Sequence, residues 1–263
     1  LLDSRITGSS ANSGAYATGG GVLANGGFQS NYAQISGNQA FGENSWGGGV
    51  FQRGPALIIN SEISGNLAGN WSGVALEDNN GAPAVMLNST VSGNVAQRKV
   101  GGVDAHQPIH MYSSTVAFNS STVWNDGNGH YFAAGVDVDD GSSTVYSSIL
   151  SNNTVPGVGT PGDIFDLSGN ALGIGGADDI IMEFNIGLPA STDQGDPGLQ
   201  PLQDNGGPTR TQRPTSFNAG YGDNILNLPT DQRGAGFPRN TSIGITIGAY
   251  EQNPDVIFIN GFD

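Results

Sequence analysis

Cysteine is absent from this 263-residue sequence, and basic residues are scarce. The absence of cysteine excludes disulfide bonds and thiol catalysis. Eight Lys and Arg residues against 23 Asp and Glu residues give a net charge of -15, which repels phosphate backbones and anionic lipid surfaces. No run approaches the roughly 18 apolar residues that a membrane-spanning helix needs. The sequence therefore predicts neither a nucleic-acid partner nor insertion into a membrane.

Glycine is abundant, with 43 residues, and 13 prolines accompany it. The glycines follow no triplet period, so a collagen-like helix is excluded. A hydrophobic content of 36% is sufficient for an ordered core, and together these features indicate a turn-rich β protein. The low lysine content and the many Asn, Ser, Thr and Gly residues suit a secreted bacterial protein.

A repeat of about 28 residues runs through the first part of the chain. The segment 60–66, Asn-Ser-Glu-Ile-Ser-Gly-Asn, recurs at 88–94 as Asn-Ser-Thr-Val-Ser-Gly-Asn. Its aliphatic position advances by 25 to 34 residues at each step, through Ile6, Ile35, Ile63, Val91, Val116 and Leu150. A second series, of Gly-Val pairs, has its valines at Val22, Val50, Val74, Val103 and Val136. Two series with the same period indicate a repeat architecture.

Each repeat contains short β-branched or aliphatic runs separated by Gly, Asn and Ser, without the spacing of an amphipathic helix. Such a unit cannot bury its own apolar face, but units coiled on one another at the ~4.8 Å spacing of strands form a continuous core. The sequence therefore predicts an all-β protein, a parallel β-helix or solenoid of about six rungs over residues 1–165, with an irregular C-terminal capping region over 166–263. Stacking also predicts a buried, hydrogen-bonded asparagine column of Asn38, Asn66, Asn94, Asn119 and Asn153.

The two ends of such a solenoid are open strand edges that need a cover. We expect residues 171–263 to cover the C-terminal end. The chain has no initial Met and no signal peptide at Leu1, and its first residues read as part of a strand. This predicts a processed or excised chain whose first rung is covered by a missing upstream segment or by a second subunit stacked end to end.

An acidic patch follows the Gly-Val series. With the valines pointing inward, the residues one and three positions later point outward. They include Glu77, Asp104, His106, Asp137 and Asp139. Three interpretations remain open: a solvated acidic stripe, a Ca²⁺ site of Glu77, Asp104, Asp137 and Asp139, and an active site with Asp104, His106, Asp137 and Asp139 as catalytic candidates.

Large aromatic residues fall between the repeated strands, at Trp46, Trp71, Trp124 and Tyr131. Aromatic rings at one edge of a solenoid can stack on sugar rings, and the four residues are candidate ligand-binding positions. The alternative is that they pack into small satellite cores.

The Gly-Gly-Val and Ser-Gly-Asn rungs resemble the right-handed parallel β-helices of bacterial surface proteins, including autotransporter-like polymorphic outer-membrane passengers. The segments 196–209 (Asp-Pro-Gly-Leu-Gln-Pro-Leu-Gln-Asp-Asn-Gly-Gly-Pro-Thr), 230–234 (Thr-Asp-Gln-Arg-Gly) and 247–251 (Ile-Gly-Ala-Tyr-Glu) are similar to the end of secreted β-helix proteins with choice-of-anchor regions. The resemblance implies a right-handed β-helix and a secreted or cell-surface location. It supplies no catalytic residues.

Two function classes remain. The first is an extracellular scaffold or adhesin-like module that binds a polysaccharide or cell-surface glycan, or associates with itself. The second is a carbohydrate-active enzyme, a polysaccharide lyase or glycoside hydrolase. For a hydrolase, Asp104 with Asp137 or Asp137 with Asp139 would provide the pair of carboxylates. Sparse Lys and Arg near the patch count against a lyase that acts on uronates.

Overall fold

The computed structural model describes residues 1–42, 44–77, 81–122, 132–155, 166–169, 173–182, 184, 186–242 and 244–252. Over these ranges the chain consists of short strands and turns, and its one helix is a 3-10 turn at Phe217–Gly220. No helix in the described ranges is long and apolar enough to cross a membrane.

The strands form four parallel sheets, numbered here in the order in which the chain enters them. Sheet 1 contains Arg5–Thr7, Gln34–Ser36, Glu62–Ser64, Thr90–Ser92, Thr115–Ala117, Ile149–Ser151 and Ile180–Ile181. Sheet 2 contains Ser10–Asn12, Gln39–Phe41, Leu67–Ala68 and Val95–Ala96. Sheet 3 contains Val22–Ala24, Val50–Gln52, Val74–Leu76, Val103–Ala105, Val136–Val138 and Leu167–Ser168. Sheet 4 contains Phe28–Asn31, Ala56–Ile59, Ala84–Leu87, Ile109–Tyr112, Thr144–Tyr146 and Gly175–Ala177.

The predicted fold class is confirmed: the chain is a right-handed parallel β-helix of about five full turns. Both predicted apolar columns are confirmed by the strand register. Val22, Val50, Val74, Val103 and Val136 are successive partners in sheet 3, and Ile35, Ile63, Val91, Val116 and Leu150 are successive partners in sheet 1. The two columns belong to one continuous core.

The predicted asparagine column is a ladder inside the solenoid. The side chains of Asn38, Asn66, Asn94 and Asn119 each donate from Nδ2 to Oδ1 of the next asparagine, at 2.9 to 3.0 Å. Asn153 donates to Asp166 Oδ1 at 2.7 Å. The ladder therefore joins the successive turns from Asn38 to Asn153 and ends on the carboxylate of Asp166.

A second ladder, of serines, links the turns between sheets 4 and 1. The hydroxyl oxygens of Ser61, Ser89, Ser114 and Ser148 accept from a backbone N–H of the preceding turn. Asp179 Oδ1 takes the same place for Ser148 N, at 2.9 Å. Both ladders thus end on an aspartate at the C-terminal end of the solenoid.

The glycine before each sheet 3 valine is required by close packing. A Cβ on Gly102 would lie 2.2 Å from Gly135 O and 3.0 Å from Asn119 Nδ2. Gly102 is not among the residues with positive φ. The clash with the next turn and its asparagine, rather than an unusual φ, therefore excludes a side chain at this position.

Residues 184 and 186–193 add a partial last turn, with parallel bridges from Leu167 to Phe184 and from Gly173 to Gly187. The chain then turns back, and residues 196–252, here called the tail, lie along the outer face of sheet 1. Gly248, at φ +98°, lets the tail approach closely, because a Cβ there would lie 2.8 Å from Ile149 Cδ1. The C-terminal region therefore covers a side of the solenoid as well as its end.

The division into domains at residue 165 stays a prediction. The described residues just beyond it extend three sheets by one strand each, at Leu167–Ser168, Gly175–Ala177 and Ile180–Ile181.

Candidate functional site

Sheet 3 brings the predicted acidic residues together on its outer face. Asp104 and Asp137 are register partners, and both are 1% exposed. The interpretation as a solvated stripe is therefore wrong for these two residues. The loops that enter sheet 3 fold an aromatic layer over this face, which consists of Trp46, Trp71 and Phe132 and packs on Phe51 and Val100.

The imidazole of His106 connects the buried Asp104 with solvent. His106 Nε2 lies 3.1 Å from Asp104 Oδ2 and 3.7 Å from Asp139 Oδ2. Its side chain is 41% exposed, and its ring meets Trp71 edge to face at a centroid distance of 5.2 Å. Within the described part of the chain, neither oxygen of Asp104 has a hydrogen bond of normal geometry. The contact between Asp104 and His106 is therefore best described as an ion pair.

Burial raises the pKa of Asp104 to about 6, against the opposing contact and charge of His106, and the charges of Asp137 and Asp139 add to the rise. The contact with Asp104 raises the pKa of His106 to about 9, which outweighs the lowering by burial, and the charges of Asp139 and Glu77 act in the same direction as the contact. At neutral pH the pair therefore exists mainly as imidazolium and carboxylate. The proton therefore resides mainly on the partly exposed imidazole of His106, and the buried carboxyl group of Asp104 is mainly ionised.

Asp137 has a different environment. Ser168 Oγ donates to Asp137 Oδ1 and accepts from Ala133 N at 2.5 Å. Asp139 is more open, with a side chain that is 27% exposed. The paired carboxylates that a glycosidase needs are neighbours here, but Asp137 is enclosed and hydrogen-bonded.

Glu77 lies at the edge of this group, where its Oε2 is 3.7 Å from Arg53 Nε. In the part of the chain that the structure describes, no three His, Asp or Glu side chains are arranged to hold a metal ion. The predicted Ca²⁺ site of Glu77, Asp104, Asp137 and Asp139 stays a prediction, which a Ca²⁺ titration of the melting temperature tests.

Rings from four successive turns form a line, here called the aromatic row (Tyr16, Trp46, Trp71 and His106). The first three residues lie between sheets 2 and 3, and His106 follows the sheet 3 strand Val103–Ala105. Centroid distances are 6.1 Å from Tyr16 to Trp46, 5.5 Å from Trp46 to Trp71 and 5.2 Å from Trp71 to His106. Tyr16 is 62% exposed and Trp71 is 6% exposed, so the row passes from the surface into the aromatic layer. The candidates Trp124 and Tyr131 lie outside the described residues.

Tyr16 and Lys99 were not among the predicted site residues. Lys99 Nζ lies over the rings of Trp71 and Phe132, at 5.4 and 4.9 Å from their centroids. The signal for Tyr16 was its place between sheets 2 and 3, one turn before Trp46. Lys99 carries no repeat signal, since it has no equivalent in other turns.

The motifs in the tail hold it on the solenoid. Arg210 donates from Nε to both carboxylate oxygens of Glu62, at 3.1 Å each, and its backbone N donates to Oε2. The side chain of Glu62 is fully buried. One of the carboxylates that face outward from sheet 1 thus serves as the socket for a tail arginine.

A second attachment, here called the tail clasp, consists of Asp231, Arg233, Arg239 and Glu251. Arg239 is fully buried, donates to Asn88 Oδ1 at 2.5 Å, and lies 3.5 Å from Glu251. Arg233 pairs with Asp231 between the rings of Phe237 and Tyr250, at 3.9 and 3.8 Å from their centroids. Burial raises the pKa of Glu251 to about 7, against the opposing charge of Arg239.

No family model, curated protein or solved structure matches this chain. The resemblance to surface passengers with choice-of-anchor ends therefore stays a prediction. The solenoid itself rests on the strand register and does not depend on that resemblance.

Proposed function

We propose that this chain is a bacterial extracellular or cell-surface scaffold that binds glycans through its aromatic row. The observation that carries the proposal is the spacing of the rings, at 5.2 to 6.1 Å along one edge, with Tyr16 open to solvent. Aromatic faces beside a few polar groups are typical of sites for small ligands. A sugar ring would stack on Tyr16 at the open end of the row, because Trp71 is 6% exposed and Trp46 is already stacked on Trp71 and Phe51.

The polar end of the row supports the same function. His106 is half exposed beside Asp104 and Asp139, so donors and acceptors for sugar hydroxyls lie next to the rings. The ladders and parallel sheets keep these groups on a rigid frame. A rigid frame lowers the entropy cost of binding, because little has to be ordered when the glycan arrives.

The test is calorimetric titration of the intact chain with a panel of neutral and acidic oligosaccharides. The variant Tyr16→Ala is expected to weaken binding about three- to tenfold, as the loss of one ring contact does. Tyr221→Ala is the matched control, since Tyr221 is 63% exposed and lies in the tail. Equal affinity of both variants and the wild type, or no glycan bound at all, would contradict the proposal.

A carbohydrate-active enzyme is the second candidate, favoured by one observation. The raised pKa values of Asp104 and His106 place a proton at a site that solvent reaches, as general acid–base catalysis requires. Polysaccharide cleavage that is abolished in Asp104→Asn and retained in Asp140→Asn would support this function. Glycan binding without cleavage would support the scaffold function instead.

Arg5–Thr7 and Ser10–Asn12 are the outermost strands of their sheets in this chain, and either an upstream segment or a second copy would pair with them. Pairing with a second copy end to end would lengthen the rod. Light scattering as a function of protein concentration tests this part of the proposal, and a mass independent of concentration at the value of one chain would contradict it.

A further inference from the structure

A polar cavity of about 270 Å³ lies between the tail and the first turns of sheet 1. Its walls come from two parts of the chain and consist of Arg5, Gln34, Asp204, Gly207, Pro208, Thr209 and Arg210. Its volume is near the lower end for small-molecule sites, about 300 Å³. The cavity therefore has room for one sugar unit.

Arg210 reaches this cavity with a fixed guanidinium. Nε and Nη2 contact Glu62, and Nη2 also contacts Ser64 Oγ at 3.0 Å. Within the described residues Nη1 has no hydrogen bond, and the side chain is 41% exposed. One edge of the guanidinium is held by the solenoid, so the other edge is oriented before a ligand arrives.

Arg5 and Gln34 continue the line that Glu62 begins. They occupy the equivalent outward position in the two preceding turns of sheet 1. Strand spacing of ~4.8 Å places Arg5 about 10 Å from the position of Glu62, with the amide of Gln34 between them. The tail turn closes the side, where Asp204 Oδ1 accepts from Gly206 N at 2.9 Å and so holds the turn.

The position of this cavity is notable in a chain with only eight basic residues and a net charge of -15. Arg233 and Arg239 are committed to the tail clasp, Arg53 pairs with Glu77, and Lys99 lies over aromatic rings. Arg5 and Arg210 both line one cavity, which Arg210 reaches while its Nε and Nη2 are paired with Glu62, and Asp204 is the one carboxylate among the lining residues. Arginine forks are suited to planar, bidentate recognition of carboxylate and sulfate groups.

We propose that this cavity binds the carboxylate or sulfate group of an acidic glycan, with Arg5 and Arg210 as the cationic groups and Gln34 as a hydrogen-bonding neighbour. The inference rests on the proposed function, because it names the class of glycan. It concerns a second site, since the cavity is on sheet 1 and the aromatic row is beside sheet 3.

The experiment compares three oligosaccharides of equal length with the intact chain: an oligogalacturonate, a sulfated oligosaccharide and a neutral one. We expect the acidic oligosaccharide that fits to bind at least tenfold more tightly than the neutral one at low salt. Arg5→Gln is expected to weaken its binding about tenfold, and Arg5→Lys to restore part of it. Comparing the oligogalacturonate with the sulfated oligosaccharide decides whether the cavity prefers a carboxylate or a sulfate group.

Arg213→Gln is the matched control, because Arg213 is an exposed tail arginine that does not line the cavity. Arg210 cannot be replaced alone without leaving Glu62 buried and unpaired, so the double variant Glu62→Gln with Arg210→Gln removes its charge. It is expected to retain the fold and to lose the preference for acidic oligosaccharides. If Arg5→Gln binds the acidic oligosaccharide as tightly as the wild type and Arg213→Gln, the inference is overturned.

Titration with sulfate alone, followed by the NMR shifts of Arg5, Gln34 and Arg210, separates this inference from the proposed function. Shifts at these residues with no glycan bound would retain the anion site and reject glycan binding. The anion site alone would be rejected if neutral and acidic glycans bound equally well through Tyr16 and sulfate caused no NMR shifts at these residues.

Discussion

The solenoid and the tail are stabilised in two different ways. Between turns, the same bond recurs between residues 25 to 34 positions apart, as in the asparagine ladder. The tail is held by contacts that occur once and join residues 76 to 151 positions apart, such as Ser147 with Asp223, Thr90 with Gln232 and Asn88 with Arg239. A repeated contact distributes stability over all turns, whereas a single contact concentrates it in one residue.

The largest expected effect concerns the tail. Arg239→Met leaves Glu251 buried without its partner, which costs about 3 to 5 kcal/mol for a broken buried ion pair. We expect lower stability to urea and faster hydrogen exchange of the sheet 1 strands under the tail. Arg213→Gln is the control. If exchange at Thr90–Ser92 stays as slow as in the wild type, the clasp does not hold the tail.

The next effect concerns the core of the solenoid. Ile63→Ala removes a side chain that is completely buried between stacked turns, and the cavity should cost about 2 to 4 kcal/mol. Thermal unfolding measures the loss, with Ile225→Ala as the control, because Ile225 is 43% exposed. A loss as small as that of the control would mean that the turns close over the cavity.

A smaller loss is expected for one member of the ladder. Asn94→Ala leaves Asn66 Nδ2 without its acceptor and Ile63 O without its donor, at a cost of about 1 to 3 kcal/mol. Glycan binding should not change. The exposed Asn25 provides the control Asn25→Ala. A variant as stable as that control would show that neighbouring turns replace the lost bonds.

The smallest effect is on the pH dependence of stability. The folded-state pKa of His106, about 9, is above its ordinary value of 6.5, so protonated His106 stabilises the fold below pH 6.5 and this contribution is lost as the pH rises through 9. The double variant His106→Asn with Asp104→Asn should remove that loss, because His106→Asn alone also removes the group that lowers the pKa of Asp104. The difference should be below about 1 kcal/mol, since the side chain is half exposed and screened.

Asp104 changes the stability with pH in the same direction as His106, but over a lower pH range. Its pKa is raised from 3.8 to about 6, so its protonated form favours the fold below pH 3.8 and this contribution disappears as the pH rises through 6. Buried Glu251 and Asp179, with pKa values raised to about 7 and about 8 by burial, titrate in the wild type and the variant alike. The comparison is therefore made at each pH between melting curves of the wild type and of the double variant His106→Asn with Asp104→Asn, in which Asp104 does not titrate. Parallel curves from pH 6 to 9 would contradict the raised pKa of His106.

The period of the sequence was sufficient to predict the solenoid, its apolar columns and the asparagine ladder, because stacking makes equivalent positions neighbours. Alternation along sheet 3 also predicted which residues point outward. It could not predict that Asp104 and Asp137 are buried, because alternation within a strand does not show how the loops that carry the aromatic layer fold over the sheet.

The serines at 61, 89, 114 and 148 were visible in the repeat, yet their ladder was not predicted, because a serine hydroxyl has many other partners available. The path of the tail could not be predicted for a different reason. Neither the glutamate at position 62 nor Arg210 recurs at the repeat period. Their pairing depends on where the irregular tail folds back onto sheet 1.

The position of the tail has a consequence for the length of the molecule. Deleting residues 61–88 would remove one whole turn and leave each sheet register intact, because Ser89 would take the place of Ser61. The tail contacts at Glu62, Thr90, Thr115 and Ser147 are on four different turns. The deletion would remove Glu62 and Asn88, which contact Arg210 and Arg239, and would shift Asn60, which contacts Thr209, by ~4.8 Å relative to the tail. The contacts of the tail therefore fit a solenoid with this number of turns, even though the repeat units themselves are interchangeable.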